Sequence, residues 1–312
     1  MTLLRDAKAR VSELLAIRSM RRHRSRLGRR LAPAYTRYWR RCRSGFEGGP
    51  PAGSVSDAVD AFRRDGVAAF STPETERVAE AMYGKITKRE AAGEPVWTAE
   101  VGQSGNLNYL GDVWRDFPEI EDLFTGPLGA FLTGYFQSHF KIFYGTLYKS
   151  IGTGTAAGGS QRWHSDGGPG SCVNVMFYLH PTGEGSGALE ALPWDASLAI
   201  YERERRALRS ARQALPPGST KTEIRELISD FYERVIAEEY ADRVKRPVGP
   251  AGLVIPFLNN NLHRGGYPAK GRARYAVVFH CYPSDRPADF ARYRREGIRK
   301  TASYPKDPAA AF

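Results

Sequence analysis

Trp163-His164-Ser165-Asp166 and, after a long interval, Asn261-Leu262-His263-Arg264-Gly265-Gly266 are the two stretches on which the reading of this chain turns, with Arg274 eleven residues past the second His. Ligands at i and i+2 share a face only in extended backbone, so His164 and Asp166 belong on a strand or at its end. Two imidazoles and one carboxylate on one side of a metal leave three positions open. Such a site suits non-haem Fe(II), which must hold a chelating co-substrate and O2 together. The same ligands can hold Zn(II) or Mn(II), so hydrolytic or isomerising chemistry stays open, as does a binding protein with no catalysis.

The surroundings favour strands. His164 follows a Gly-rich loop (Gly152, Gly154, Gly158, Gly159) and precedes Gly167-Gly168-Pro169-Gly170. His263 follows the apolar run Leu253 to Leu258, and Arg274 opens Tyr275-Ala276-Val277-Val278-Phe279, which reads as a buried strand. A His leaving one strand and an Arg entering the next would put a metal and an anion anchor in one barrel mouth.

The set His164-x-Asp166, His263 and Arg274 resembles the Fe(II)/2-oxoglutarate dioxygenases, and within them the phytanoyl-CoA dioxygenase-like branch. Phe62-Arg63-Arg64-Asp65-Gly66 is similar to that family's Phe-x-x-Asp-Gly opening, Gly185 to Pro193 to its Asn-Gly-x-Leu-x-x-x-Pro stretch, and Gly252 to Phe257 to the strand before the distal His. Trp194-Asp195-Ala196-Ser197 stands where the family has Gly-Ser-His, and Gly265 where it often has a hydroxyl residue. The resemblance implies a mainly β fold with supporting helices, a double-stranded β-helix of the jelly-roll or cupin kind. It implies Fe(II) on His164, Asp166 and His263, with 2-oxoglutarate chelated to the metal and its distal carboxylate on Arg274. The expected reaction is hydroxylation of a small-molecule or carrier- or lipid-linked substrate by O2, releasing succinate and CO2; desaturation and ring closure stay open. Halogenating relatives lack the carboxylate that Asp166 supplies. Tyr148 and Asn174 are candidates for co-substrate contact, and Arg264 and Arg162 for substrate contact. His139, His180 and His280 are expected to be structural.

Length and composition fit a globular enzyme. The 312 residues are 41% hydrophobic, and no apolar run approaches the length of a membrane span. Charges interrupt the N-terminus, so no signal-peptide apolar region is expected there. Cys42, Cys172 and Cys281 have no paired spacing and suggest a reducing, cytoplasmic setting, with Cys172 and Cys281, in strand-like runs, expected to be small core residues.

The basic balance is local. Residues 1–50 hold fourteen Lys+Arg against three Asp+Glu, while the rest of the chain holds 32 against 31. Residues 1–54 are therefore expected to form a basic arm and linker, residues 55–290 the catalytic domain, and residues 291–312 a tail. Leu3, Leu4, Ala7, Val11, Leu14 and Leu15 have helical spacing; Pro33 is expected to break the second half, where Tyr35, Tyr38 and Trp39 alternate with Arg37, Arg40 and Arg41. An arm such as residues 1–43 could lie on an anionic membrane, making the protein peripheral. It could also meet an acidic partner or nucleic acid, pack on the body with a solvated basic face, or be a cleaved transit peptide.

Helices are expected over Ser56–Arg64, Pro73–Ala92 and Phe117–Phe136. Strands are expected over Lys141–Ile151, Cys172–His180, Ala188–Pro193, Gly252–Leu262 and Arg274–Pro283. An insertion at about 195–247 carries a capping-box pattern at Thr220–Glu223 and an apolar stripe through Ile224, Leu227, Ile228, Phe231, Val235 and Ile236. It would form either a helix covering the sheet or a lid over the site.

Overall fold

The computed structural model describes residues 26–49, 51–98, 106–154, 159–170, 172–214, 221–298 and 307–309. Helices α1 (Arg26–Ser44), α2 (Gly53–Asp65) and α3 (Pro73–Ala91) come first, then strand β1 (Asn106–Asn108). Three shorter helices, α4 (Val113–Asp116), α5 (Ile120–Thr125) and α6 (Pro127–Phe136), precede β2 (His139–Ile151) and β3 (Val173–Tyr178). Beyond β4 (Glu190–Ala191), the insertion forms an α7 (Trp194–Ala214) and α8 (Lys221–Glu239) pair. The chain closes with β5 (Val254–Leu258), β6 (His263–Arg264), β7 (Ala273–Ser284) and α9 (Phe290–Glu296).

The larger sheet is antiparallel in the order β1-β2-β7-β3-β5, and single bridges from Val67 and Phe70 extend its β5 edge. The smaller sheet pairs β4 with β6 and is widened by the bridges Ala191 to Lys245 and His164 to His263. Side-chain alternation divides the larger sheet's two faces cleanly. On one, Val173, Val175, Phe177, Tyr275, Val277 and Phe279 join a core with helices α2 to α6. On the other, Tyr148, Met176, Tyr178 and Ala276 pack with Leu189 and Ala191 of the smaller sheet's side. The helix-supported, two-sheet jelly-roll architecture expected from the sequence is what forms, without closing into a continuous barrel among the described residues.

The strands expected over Lys141–Ile151 and Arg274–Pro283 form and run slightly longer, while others narrow. Ala188–Pro193 is extended only at Glu190–Ala191, and Gly252–Leu262 stops at Leu258 before a turn through Asn259 and Asn260. The helix expected over Phe117–Phe136 breaks at Gly126, because Pro127 starts a new helix where its missing N–H costs nothing. Gly66, in the Phe-x-x-Asp-Gly motif, caps α2 at φ +69°, and a Cβ there would meet the Asn261 amide at 2.8 Å.

The arm's second half departs from expectation. Helix α1 continues through Pro33, and Tyr35, Tyr38, Trp39 and Cys42 form one buried stripe at i, i+3, i+4 and i+7. The Trp39 indole donates to the Phe136 carbonyl at 2.8 Å, Tyr35 packs on Tyr282 and Tyr38 bonds to Asp285. Arg37, Arg40 and Arg41 face solvent. Burial of this stripe offsets the backbone bond that Pro33 forfeits. This half of the arm therefore belongs to the folded body; the expected Leu3–Leu15 helix, Gly158 and the Thr220 cap lie outside the described residues. Trp39→Ala should lower the unfolding free energy by about 3–5 kcal/mol in urea titration. A change below about 1 kcal/mol would contradict the docking.

Candidate metal centre

The site is built on one antiparallel bridge. His164 N–H donates to the His263 carbonyl and His263 N–H to the His164 carbonyl, each at 3.0 Å. Residues so paired present their side chains to the same face, and the two imidazole centroids lie 4.4 Å apart. Two residues on, Asp166 N–H donates to the Asn259 carbonyl at 3.0 Å, which returns its carboxylate to that face. Asp166 Oδ1 lies 3.6 Å from His164 Nε2 and 3.8 Å from His263 Nε2. One donor atom from each residue falls within 4.8 Å of the other two, the only such His/Cys/Asp/Glu group among the described residues.

Both tautomers follow from the backbone. His164 Nδ1 lies 2.8 Å from the Arg162 carbonyl, and His263 Nδ1 2.8 Å from the Asn261 carbonyl. A carbonyl can only accept, so each Nδ1 carries the proton and each Nε2 presents its lone pair toward Asp166. Burial, and then the neighbouring His164, pushes His263 down to about 4, so it is neutral near pH 7. Enclosure alone would raise the Asp166 carboxyl, but the attraction of the paired imidazoles whenever they are protonated, with the Asn174 amide, outweighs it and holds the group below the ordinary carboxylate range. Two imidazoles that turn Nε2 inward and one carboxylate make a donor set suited to a divalent metal.

Arg274 is fully enclosed at 1% exposure. Its guanidinium donates to the Gly187 carbonyl, to the Gly266 carbonyl at 2.9 Å and to Ser150 Oγ at 2.9 Å, while its Nε has no partner. None of these partners is an anion. Gly265 makes room beside it, since a Cβ there would stand 3.2 Å from Nη2. Arg272 is two residues from Arg274 but lies before β7 begins, where the chain turns and its guanidinium donates outward to the Glu184 carbonyl.

A cavity of about 510 Å³ joins Arg274 to His164, Asp166 and His263. Tyr148 lines it, donating its hydroxyl to Met176 Sδ, with Arg274 5.7 Å from its ring centroid. Asn174 also lines it, but its amide donates to Asp166 Oδ2 and so orients the carboxylate. Arg162 and Arg264 are corrections to the sequence reading. Both pair outside the cavity: Arg264 has the opposite strand parity from His263 and meets Glu190 and Glu233, while Arg162 lies in a bend before the bridge and meets Asp230. His180 is structural, accepting from Tyr275 N–H at 3.1 Å. His280 lines the cavity beside Tyr144, where burial pushes its imidazole below the ordinary value. Ser150 and His280 were both legible, because Ser150 and Tyr148, like Arg274 and His280, are an even number of residues apart on one strand.

No family model and no curated protein sequence matches this chain. Solved structures similar to it include the non-heme alpha ketoglutarate dependent epimerase SnoN from nogalamycin biosynthesis, at 14% identity and a TM-score of 0.48 over 74% of this chain and 83% of that one. EctD from S. alaskensis with bound Fe is 15% identical, with a TM-score of 0.49 over 76% and 79% of the two chains. HygX from Streptomyces hygroscopicus with nickel and 2-oxoglutarate bound is 12% identical, with a TM-score of 0.44 over 75% and 88%. At these identities and scores, chemical meaning rests with the residues of the site itself.

The depressed His263 has a consequence for stability. Between pH about 4 and the ordinary value of 6.5, the unfolded chain binds a proton that the folded chain refuses. Stability of the metal-free protein should therefore rise with pH across that window and level off above it. Urea midpoints measured from pH 4.5 to 8 test this, and His263→Gln should reduce the slope. A midpoint that falls as pH rises from 4.5 to 6.5 would contradict the assignment.

Proposed function

We propose that this protein is an Fe(II)- and 2-oxoglutarate-dependent oxygenase acting on a small organic substrate. The observation that carries the reading is the pairing, in one cavity, of a three-donor metal face with a buried guanidinium that has no anionic partner among the described residues. An uncompensated charge in so enclosed a place is costly. A dicarboxylate that chelates the metal at one end and meets Arg274 at the other removes that cost, and a planar guanidinium grips a carboxylate bidentately. A hydrolytic zinc or manganese site, or a non-catalytic jelly roll, leaves Arg274 without a purpose.

His164 Nε2, His263 Nε2 and one Asp166 oxygen would hold the iron. Bound there with 2-oxoglutarate and O2, iron supplies the oxidising chemistry, in which the co-substrate becomes succinate and CO2 and one oxygen atom enters the substrate. The chain's own residues do the rest. The Arg162 and Asn261 carbonyls fix the imidazole tautomers, and Asn174 holds Asp166 in its orientation. Arg274, with Ser150 and Tyr148 beside it, sets the direction of the co-substrate.

The remainder of the cavity bears on the substrate. Asn108, Phe143, Tyr144, Thr146 and His280 line it, and apart from Asp166 and Arg274 no acidic, Lys or Arg side chain does so among the described residues. With those two charges engaged, the part of the substrate that enters is uncharged and meets aromatic faces and neutral hydrogen-bonding groups. A lipid or carrier would have to keep its charged portion outside.

Turnover of 2-oxoglutarate to succinate should require Fe(II) and be lost in His164→Ala and Asp166→Ala. Arg274→Ala should keep its iron but raise the 2-oxoglutarate requirement on the order of a hundredfold, the loss of a charge-assisted bidentate contact. Arg272→Ala should not. Succinate assays across co-substrate concentration, with metal analysis, decide it; full activity in Asp166→Ala would sink the proposal.

A further inference from the structure

The insertion, residues 194–239, touches the candidate metal centre from behind. None of its described side chains lines the cavity. Instead α7 and α8 enclose a small core of their own with Trp163 and Leu262, the residues that immediately precede the two His ligands. Because His164 and His263 point into the cavity, their chain neighbours Trp163 and Arg264 must point out. The bridge between the His residues makes Trp163 and Arg264 direct cross-strand neighbours on that outer face. The Arg264 guanidinium sits 5.0 Å from the Trp163 ring centroid.

Hydrogen bonds from the insertion fall on the same short segments. Glu233 of α8 accepts the Trp163 backbone N–H at Oε1, 3.1 Å, and the Arg264 guanidinium at Oε2, 2.8 Å. One carboxylate thus ties the residue before one ligand to the residue after the other. Helix α7 reaches the same turn: Ser197 Oγ accepts the Leu262 N–H at 3.0 Å, and the Tyr201 hydroxyl donates to the Asn260 carbonyl at 2.8 Å. Glu190 of β4, across from Arg264 in register, holds that guanidinium from its other side at 2.8 Å.

We propose that the insertion is a brace for the metal centre, and that Glu233 is its positioning residue, fixing the separation of His164 and His263 by clamping Trp163 to Arg264. The proposal rests on the reading of His164, Asp166 and His263 as metal ligands. The two segments are bridged at a single residue pair, flanked by one backbone bond on each side, Asp166 N–H to the Asn259 carbonyl and Gly265 N–H to the Ser160 carbonyl, so the Glu233 clamp adds a side-chain tie to a short ladder. Outer contacts that orient ligand His residues typically govern about 10–100-fold in metal affinity. Glu233 would do this through the main chain of one ligand strand and a side chain of the other, without touching either imidazole.

The test uses the full chain and Co(II) alone as the probe. Affinity is measured by chelator competition and ligand geometry by the visible Co(II) spectrum. Glu233→Ala should bind Co(II) about 10–100-fold more weakly, with an altered spectrum. Glu233→Gln, which keeps an oxygen for the Trp163 N–H but loses the charged hold on Arg264, should recover part of both. Arg203→Ala is the control. It removes an exposed ion pair to Glu239 that joins α7 to α8 away from the ligands, so it should leave affinity within about twofold. If Glu233→Ala does not fold, affinity and spectrum of Glu233→Gln decide. Parent-like Co(II) affinity and spectrum in the Glu233 variants would overturn the brace while leaving the metal reading intact. Failure of the parent protein to bind Co(II) would overturn the metal reading, and the brace with it.

Discussion

The reciprocal backbone hydrogen bonds between His164 and His263 are the constraint from which the rest of the site takes its shape. They bring two distant parts of the chain into one bridge and put both imidazoles on one face. Alternation then does the sorting: Asp166 returns to the inner face, while Trp163 and Arg264 go to the outer one. The carbonyls of Arg162 and Asn261, each two residues before a ligand, take the Nδ1 protons and leave both Nε2 atoms free to bind. A one-residue slip of either segment would exchange the ligands for Trp163 or Arg264 and remove the donor set altogether. Gly66 enters this scheme from a distance, since its lack of a Cβ admits Asn261, whose carbonyl orients His263.

Arg274 is the second fixed point, and its energetics differ. It is held by carbonyls and a hydroxyl, which satisfy geometry but do not neutralise charge. Burying a cation this way makes sense when an anion arrives as ligand, because desolvation has then been met in advance by folding. Charge in the cavity is concentrated in two places, the donor set and this guanidinium. The wall between and beyond them is neutral, so binding there relies on shape, aromatic faces and hydrogen bonds.

The donor triad and Arg274 were legible in the sequence because strand spacing determines which residues can share a face. The same rule, applied further, draws Ser150 and His280 inward and sends Arg264 outward, while Arg162 escapes it because it lies in a bend before the bridge. Treating those residues by charge and proximity alone hid it. Asn174 was correctly read as a buried polar residue that needs a partner; that the partner is Asp166 depends on how distant segments meet. The docking of α1 was obscured by Pro33, whose local cost suggested a break. The stripe of Tyr35, Tyr38, Trp39 and Cys42 has helical spacing throughout, and packing on β2, α6 and β7 overrides the proline. The bracing role of the insertion is the least legible, since Glu233 looks like any acid on a helix until its two partners are seen.

Calorimetric titration of 2-oxoglutarate into the metal-free protein, with and without saturating Ni(II) as a redox-inert stand-in for iron, bears most directly on the central claim. The donor triad and Arg274 are expected to bind the co-substrate jointly. One 2-oxoglutarate per chain should therefore bind in the presence of the metal, and far more weakly in its absence. Equal affinity with and without metal, or no binding in either case, would contradict the account.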